Sequence, residues 1–102
     1  MTMNIYQLTA PYFKTKARYT ITADFGWTIN YTTGLTFVNE ATSVVNTNGN
    51  ISGQGNASFL ITIPLNDTAS EKTYTITSTL NSSCTSEIVK ITTITQEGNG
   101  NN

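Results

Sequence analysis

The strongest structural signal in this sequence is the stretch Lys72–Leu80, which reads KTYTITSTL. Tyr74, Ile76 and Leu80 alternate along it with threonines. Successive side chains of a β-strand point to opposite faces of its sheet, so this pattern predicts a strand with one apolar face and one hydroxyl face. The apolar face is expected to lie in a core, and the threonine row is expected to meet solvent.

The same alternation recurs elsewhere in the chain. Two other segments place apolar side chains at every second position: Trp27, Ile29 and Tyr31 in one, and Phe59, Ile61 and Ile63 in the other. Glu87–Gln96 is also strand-like, but its apolar residues change phase, which predicts a bulge or a strand buried on both sides. No segment supports a helix. The chain is therefore predicted to be all-β, an immunoglobulin-like β-sandwich of about seven antiparallel strands, with a small closed barrel as the alternative.

A single domain is expected, because 102 residues match the usual size of one hydrophobic core. The sandwich is assigned to residues 18–98. Residues 1–17 are expected to form an N-terminal arm with a possible first strand at Tyr6–Thr9, and residues 99–102 a flexible tail. Ser52–Gly55 is interpreted as a turn, because glycine tolerates positive φ.

Composition argues against two classes of partner. The formal charge is −1 and only 11% of the residues are charged, so there is no basic stripe that would neutralise nucleic-acid phosphates or anionic lipids. No nucleic acid and no membrane partner are expected. The first 20 residues contain no continuous apolar run, so no signal peptide and no membrane span are expected. The protein is therefore expected to be made in a cytosol and to leave it within an assembly or by lysis.

Catalytic and metal-binding chemistry find little support in the residue types. The chain contains no histidine, which is the commonest general base and metal ligand. Its six carboxylates are spread singly along the chain. No cofactor, no metal site and no enzymatic activity are predicted.

Cys84 is the single cysteine, which excludes an intrachain disulfide and predicts a free thiol in a hairpin loop, with an intermolecular bond as the alternative.

Exposed aromatic residues are the remaining candidates for a binding site. Tyr12 and Phe13 lie outside any alternating pattern, so they are expected at the surface. Together with Lys14 and Lys16 they belong to the predicted N-terminal arm, which is suited to lie on a neighbouring chain. Aromatic rings also stack on the faces of sugars, and Tyr12, Phe13 and Tyr31 are therefore candidate glycan contacts.

Several short motifs stand out between residues 18 and 98: Trp27, Ser52-Gly53-Gln54-Gly55, Ile61-Thr62-Ile63-Pro64-Leu65-Asn66, Lys72-Thr73-Tyr74-Thr75-Ile76 and Ile94-Thr95-Gln96-Glu97-Gly98. Together they resemble the BACON domain, an immunoglobulin-like module of Bacteroidetes proteins. The sequence departs from the family pattern at two places. Leu35-Thr36-Phe37 stands where a second tryptophan is expected, and Lys72 stands where the family usually has arginine.

The resemblance implies two kinds of role. Such domains in secreted proteins are thought to contact carbohydrate or mucin, or to separate catalytic domains, and others occur in structural proteins of crass-like bacteriophages that infect Bacteroidetes. A single domain without a signal peptide favours the second role. The chain is expected to be a capsid decoration protein of a virion, made in the cytoplasm of the bacterial host, with capsid or other virion proteins as partners. The alternatives are a module that binds host or mucin glycans and a head-fibre or tail component.

Overall fold

Two packed β-sheets make up the fold. The computed structural model describes residues 2–81 and 87–100, and this part of the chain contains nine strands and no helix. The strands are β1 (Thr2–Ala10), β2 (Thr15–Ile21), β3 (Gly26–Tyr31), β4 (Thr36–Asn39), β5 (Val45–Asn46), β6 (Asn50–Gln54), β7 (Ala57–Ile63), β8 (Lys72–Leu80) and β9 (Ile88–Gln96). The large sheet has the order β1-β9-β8-β3-β6 and the small sheet the order β2-β7-β4-β5. The predicted all-β sandwich is confirmed. Cys84 lies outside the described residues.

The number and direction of the strands differ from the prediction. The described residues form nine strands rather than about seven, and β1 runs parallel to β9 over its whole length, whereas the other pairs are antiparallel. One strand missed by the sequence analysis is β6, which contains most of the predicted turn Ser52–Gly55. Gly53 pairs with Trp27 of β3. A Cβ atom at position 53 would lie 2.5 Å from Trp27 Cζ2. The glycine is therefore needed to leave space for the indole ring, and not to allow a turn.

The N-terminal segment is part of the sandwich. The possible first strand predicted at Tyr6–Thr9 within the arm is part of β1, which belongs to the large sheet. Residues 15–17, also assigned to the arm, begin β2 of the small sheet. β1 has exposed side chains on both faces, so its sequence shows no clear apolar alternation. Backbone pairing with β9, rather than burial of one face, holds the strand in the sheet. At the other terminus, the predicted tail begins with Asn99, whose N–H donates to Thr68 O at 2.8 Å. Residues 101–102 lie outside the described part.

An aromatic cluster forms the centre of the core. Phe37 is fully buried, and its ring stacks on Tyr31 with 4.3 Å between the centroids and meets Phe59 edge to face at 5.7 Å. The inward positions of β3, β7 and β8 are buried as the alternation predicted, except that Leu80 at the end of β8 is only partly buried. The buried apolar residues are Ala10, Tyr19, Ile21, Trp27, Ile29, Tyr31, Leu35, Phe37, Phe59, Ile61, Ile63, Tyr74, Ile76 and Ile94.

Buried polar residues explain the change of phase in the apolar pattern of β9. The pairing of β9 with β8 is continuous from Lys72–Gln96 to Leu80–Ile88, so the strand contains no bulge. Thr92, Ile94 and Gln96 are buried. Two of these three inward positions are therefore polar, and a search for apolar alternation alone loses the strand's phase.

Candidate binding site at one end of the sandwich

Three large apolar side chains are exposed where two loops meet. Tyr12 and Phe13 lie in the β1–β2 loop, residues 11–14, and Leu65 lies in the β7–β8 loop, residues 64–71. Their exposed fractions are 41%, 53% and 52%. The loops are joined by a hydrogen bond from the N–H of Asn66 to Tyr12 O at 2.8 Å. We call the surface formed by Tyr12, Phe13 and Leu65 the aromatic end.

The two rings of the aromatic end meet edge to face. Their centroids are 5.7 Å apart and their planes differ by 81°. In this arrangement the electropositive edge of one ring lies against the electronegative face of the other, which is a favourable geometry for aromatic pairs. The pair therefore forms one small, ordered apolar surface rather than two independent side chains.

The predicted site residues divide into three groups. Tyr12 and Phe13 lie together at the surface, next to the exposed Lys14. Lys16 is exposed on β2 and belongs to the side of the sandwich. Tyr31 is not available as a glycan contact, because it is only 7% exposed, stacks on Phe37 and donates its hydroxyl to Asn46 Oδ1. Tyr31 is buried because it is in phase with the buried residues Trp27 and Ile29 of β3.

A buried glutamine holds the β1–β2 loop against the β7–β8 loop. Gln96, at the end of β9, has no solvent exposure. Its Nε2 donates to Pro64 O at 2.7 Å and to Tyr12 O at 3.3 Å. Buried amides that satisfy backbone carbonyls in this way fix the conformation of the loops that they join. Gln96 thus positions Tyr12 without being part of the exposed surface.

A buried asparagine organises the β7–β8 loop itself. Asn66 is also fully buried. Its Nδ2 donates to Ser70 O at 2.8 Å and to Glu97 O at 3.0 Å, and its Oδ1 accepts from Thr68 Oγ1 at 2.6 Å. Neither amide was predicted from the sequence as a positioning residue. For Gln96, the available signal was a polar residue two positions after the inward-facing Ile94.

Gln96→Leu should lower the free energy of unfolding by about 1–3 kcal/mol, because it removes the side-chain donor to Pro64 O and one of the two donors to Tyr12 O. Amide hydrogen exchange of Asn66, whose N–H is bonded to Tyr12 O, should also become faster. Gln54→Leu is the matched control, since Gln54 is exposed on β6. Urea unfolding and NMR-detected exchange measure both effects. Equal stability losses in the two variants would contradict the positioning role of Gln96.

An ion pair links Arg18 of β2 to Glu40, the residue that follows β4. Glu40 Oε1 accepts from Arg18 Nε at 2.8 Å and from Ser58 Oγ at 2.7 Å. The hydrogen bond from Arg18, followed by that from Ser58, lowers the pKa of Glu40, because both favour the ionised carboxylate. Burial raises the pKa of Tyr19 and of Tyr74. Within residues 2–81 and 87–100 there is no group of three or more Asp, Glu or Cys side chains placed to hold a metal ion.

Comparison with known proteins adds information on the fold. No protein-family model matches the chain, and no curated protein matches it. The chain is similar to part of a solved structure, the Bacteroides ovatus GH5 xyloglucanase in complex with a XXXG heptasaccharide, with a TM-score of 0.61 and 21% identity. The match covers 90% of this chain and 17% of that enzyme. At this identity the similarity concerns the sandwich fold alone. In the described ranges, no helix is long and apolar enough to cross a membrane.

Proposed function

We propose that the chain is a non-catalytic structural module, and more specifically an auxiliary protein that decorates a bacteriophage capsid and contacts its shell through the aromatic end. The observation that carries the proposal is the exposure of Tyr12, Phe13 and Leu65 on loops that buried amides hold in place. Aromatic residues are enriched in the centres of protein interfaces. An ordered loop also loses less conformational entropy when a partner binds.

The phage context comes from the sequence motifs. Residues 18–98 resemble BACON domains, and some domains of this family occur in structural proteins of crass-like bacteriophages. This resemblance supports a virion as the location. Lys14 lies directly after Phe13, so an acidic region on the shell protein would complement the rim of the aromatic end. Rim charges of this kind act mainly on the rate of association and on specificity.

The double variant Tyr12→Ala/Phe13→Ala should reduce the number of copies bound per particle by more than about tenfold, because each buried ring contributes on the order of 1.5–3 kcal/mol. Quantitative mass spectrometry of purified particles measures the copy number. Phe25→Ala is the matched control, since Phe25 is 44% exposed and lies outside the aromatic end. Particles that contain no wild-type copies, or only a handful, would refute the capsid role.

A second candidate function is glycan binding, which the two exposed rings of the aromatic end favour. One sugar face stacked on Tyr12 or Phe13 would contribute on the order of 1 kcal/mol beyond the area that it buries. Calorimetric titration of the wild type, the double variant and Phe25→Ala with mucin O-glycans separates this function from capsid binding. Unchanged glycan affinity in the double variant would exclude the aromatic end as the sugar site.

A further inference from the structure

One side of the sandwich is incompletely covered, because the large sheet extends further than the small sheet. The Tyr19 hydroxyl of β2 is 2.6 Å from Ser78 Oγ of β8, and Lys90 Nζ of β9 lies 5.1 Å from the centre of the Tyr19 ring. These contacts place β2, an edge strand of the small sheet, over β8 and β9. β1 is the next strand of the large sheet beyond β9. No described strand of the small sheet lies over it.

The exposure of β1 shows the effect of this mismatch. Tyr6 pairs with Thr92 and Leu8 pairs with Ile94, so each shares the inward orientation of its partner on β9. Both partners are 3% exposed, whereas Tyr6 is 48% exposed and Leu8 is 52% exposed. The difference arises because β2 covers β9 and does not reach β1.

The uncovered strip forms a groove between β1 and β2. It consists of two cavities of about 280 and 150 Å³ that share Leu8. Its apolar walls are Tyr6 and Leu8 on one side and Ala17 and Tyr19 on the other. Lys90 Nζ lies 5.1 Å from the centre of the Tyr6 ring and at the same distance from that of Tyr19, between the two walls. We call this feature the lateral groove.

The β2 edge of the lateral groove carries backbone groups that can pair with another strand. Within the described part of the chain, β2 pairs with β7 alone. Alternate residues of such an edge strand direct their N–H and C=O groups away from the sheet. An extended peptide can add to these groups as a further strand. A strand added beside β2 would lie over β1 and cover Tyr6 and Leu8.

We propose that the lateral groove binds an extended segment of a partner protein as an added strand beside β2, and that this segment alternates apolar with acidic residues. Side chains that point inward from such a strand would neighbour Ala17 and Tyr19 and contact Leu8, which requires apolar residues. Side chains that point outward would neighbour Lys16 and Arg18, and opposite charges on adjacent strands are favourable.

Charge complementarity supports an acidic partner. The residues that line the two cavities include Lys16, Arg18 and Lys90 and no carboxylate. Arg18 also pairs with Glu40 at 2.8 Å, so Lys16 supplies most of the positive charge that meets the outward side chains of an added strand, whereas Lys90 lies between the walls of the groove. This local excess contrasts with the net charge of −1 for the whole chain.

The same charges argue against a second copy of this chain as the occupant. Two β2 strands paired about a two-fold axis would bring Lys16 and Arg18 of both copies close together. Like charges on adjacent strands are destabilising, and lysine on an edge strand is a common protection against self-pairing. The β2 edge is therefore suited to a partner of opposite charge.

Isothermal titration calorimetry with synthetic peptides tests the proposal on the full chain. The probe is a peptide that matches the length of β2, seven residues, in which valine and glutamate alternate. One control peptide has the same composition with its valines and glutamates in separate blocks, and another alternates valine with lysine. The alternating acidic peptide should bind at least about tenfold more tightly than either control. Hydrogen exchange should show new protection at alternate amides of β2.

Variants with matched controls test the two faces of the added strand. Lys16→Glu should weaken binding of the acidic peptide by about tenfold and improve binding of the lysine peptide, whereas Lys72→Glu, on β8, should change neither. Leu8→Gln should weaken binding by about tenfold, whereas Leu65→Gln should not. Leu8 and Leu65 are both 52% exposed, so the two substitutions start from the same exposure.

Three results would overturn the proposal. Equal affinity for the alternating and the block peptide would show that charge alone is recognised. If a sulfated hexasaccharide protected the β2 amides from exchange as strongly as the acidic peptide does, the groove would be assigned to an anionic sugar. A dimer with β2 amides already protected in the absence of peptide would assign the groove to a second copy. These outcomes are independent of the capsid role, which depends on the aromatic end and is tested by Tyr12 and Phe13.

Discussion

Phe37→Ala should lower the free energy of unfolding by about 3–5 kcal/mol, the usual cost of truncating a buried phenylalanine. Phe37 has no solvent exposure and contacts the rings of Tyr31, Tyr19 and Phe59. Its removal would leave a cavity between the sheets that three aromatic rings would have to close. Because small domains are stable by only about 5–15 kcal/mol, this one substitution should remove a large part of the protein's stability.

Chemical denaturation followed by tryptophan fluorescence measures the effect, since Trp27 is the single tryptophan and lies in the same core. Phe25→Ala removes the same atoms from a side chain that is 44% exposed, and it should cost no more than about 1 kcal/mol. A difference between the two variants of less than about 1 kcal/mol would show that Phe37 is not the centre of the core.

Gly53→Val should destabilise the protein by about 3 kcal/mol or more, because it forces a branched side chain into a packed core. A Cβ atom at this position would lie 2.5 Å from Trp27 Cζ2 and 2.7 Å from Cη2. The indole ring is itself fixed, because its Nε1 donates to Gly55 O at 2.8 Å. The ring therefore has little freedom to move away from an added side chain.

A double-mutant cycle identifies the source of this cost. Phenylalanine lacks the outer ring atoms that meet the Cβ atom, so Gly53→Ala should cost less in a Trp27→Phe background than in the wild type, with a coupling of about 0.5–3 kcal/mol. Gly26→Ala is a suitable control, because its Cβ atom would meet its nearest neighbour at 3.5 Å. Strict additivity of the two substitutions would locate the cost in the backbone of β6 instead.

Strands with strict alternation were predictable over their full length, whereas β1, which backbone pairing holds in place, was predicted only over Tyr6–Thr9. The predicted bounds of Lys72–Leu80 match β8, and the alternating Phe59, Ile61 and Ile63 lie in β7, because each of these strands has one buried face. β1 follows no such rule, since Ile5 and Leu8 are exposed on opposite faces. Its place depends on pairing with residues more than eighty positions away, which local patterns do not encode.

The candidate site was predictable in part, for similar reasons. The absence of alternation correctly indicated surface positions for Tyr12 and Phe13. Tyr31 is not available as the glycan contact that was considered for it, because its phase with Trp27 and Ile29 places it in the core. Gln96 lies 84 positions from Tyr12, and an amide that bonds distant carbonyls has no recognisable spacing in the sequence.

The parallel pairing of β1 with β9 determines how the domain would respond to mechanical force. Thr2 lies beside Ile88 and Ala10 lies beside Gln96, so Thr2 and Gln96 are at opposite ends of the paired strands. A force that separates Thr2 from Gln96 would slide β1 along β9 and would load all the hydrogen bonds of this pair at once. Shear of this kind resists extension better than an arrangement in which bonds open one after another. The β1–β9 pair should therefore resist a force that pulls Thr2 and Gln96 apart.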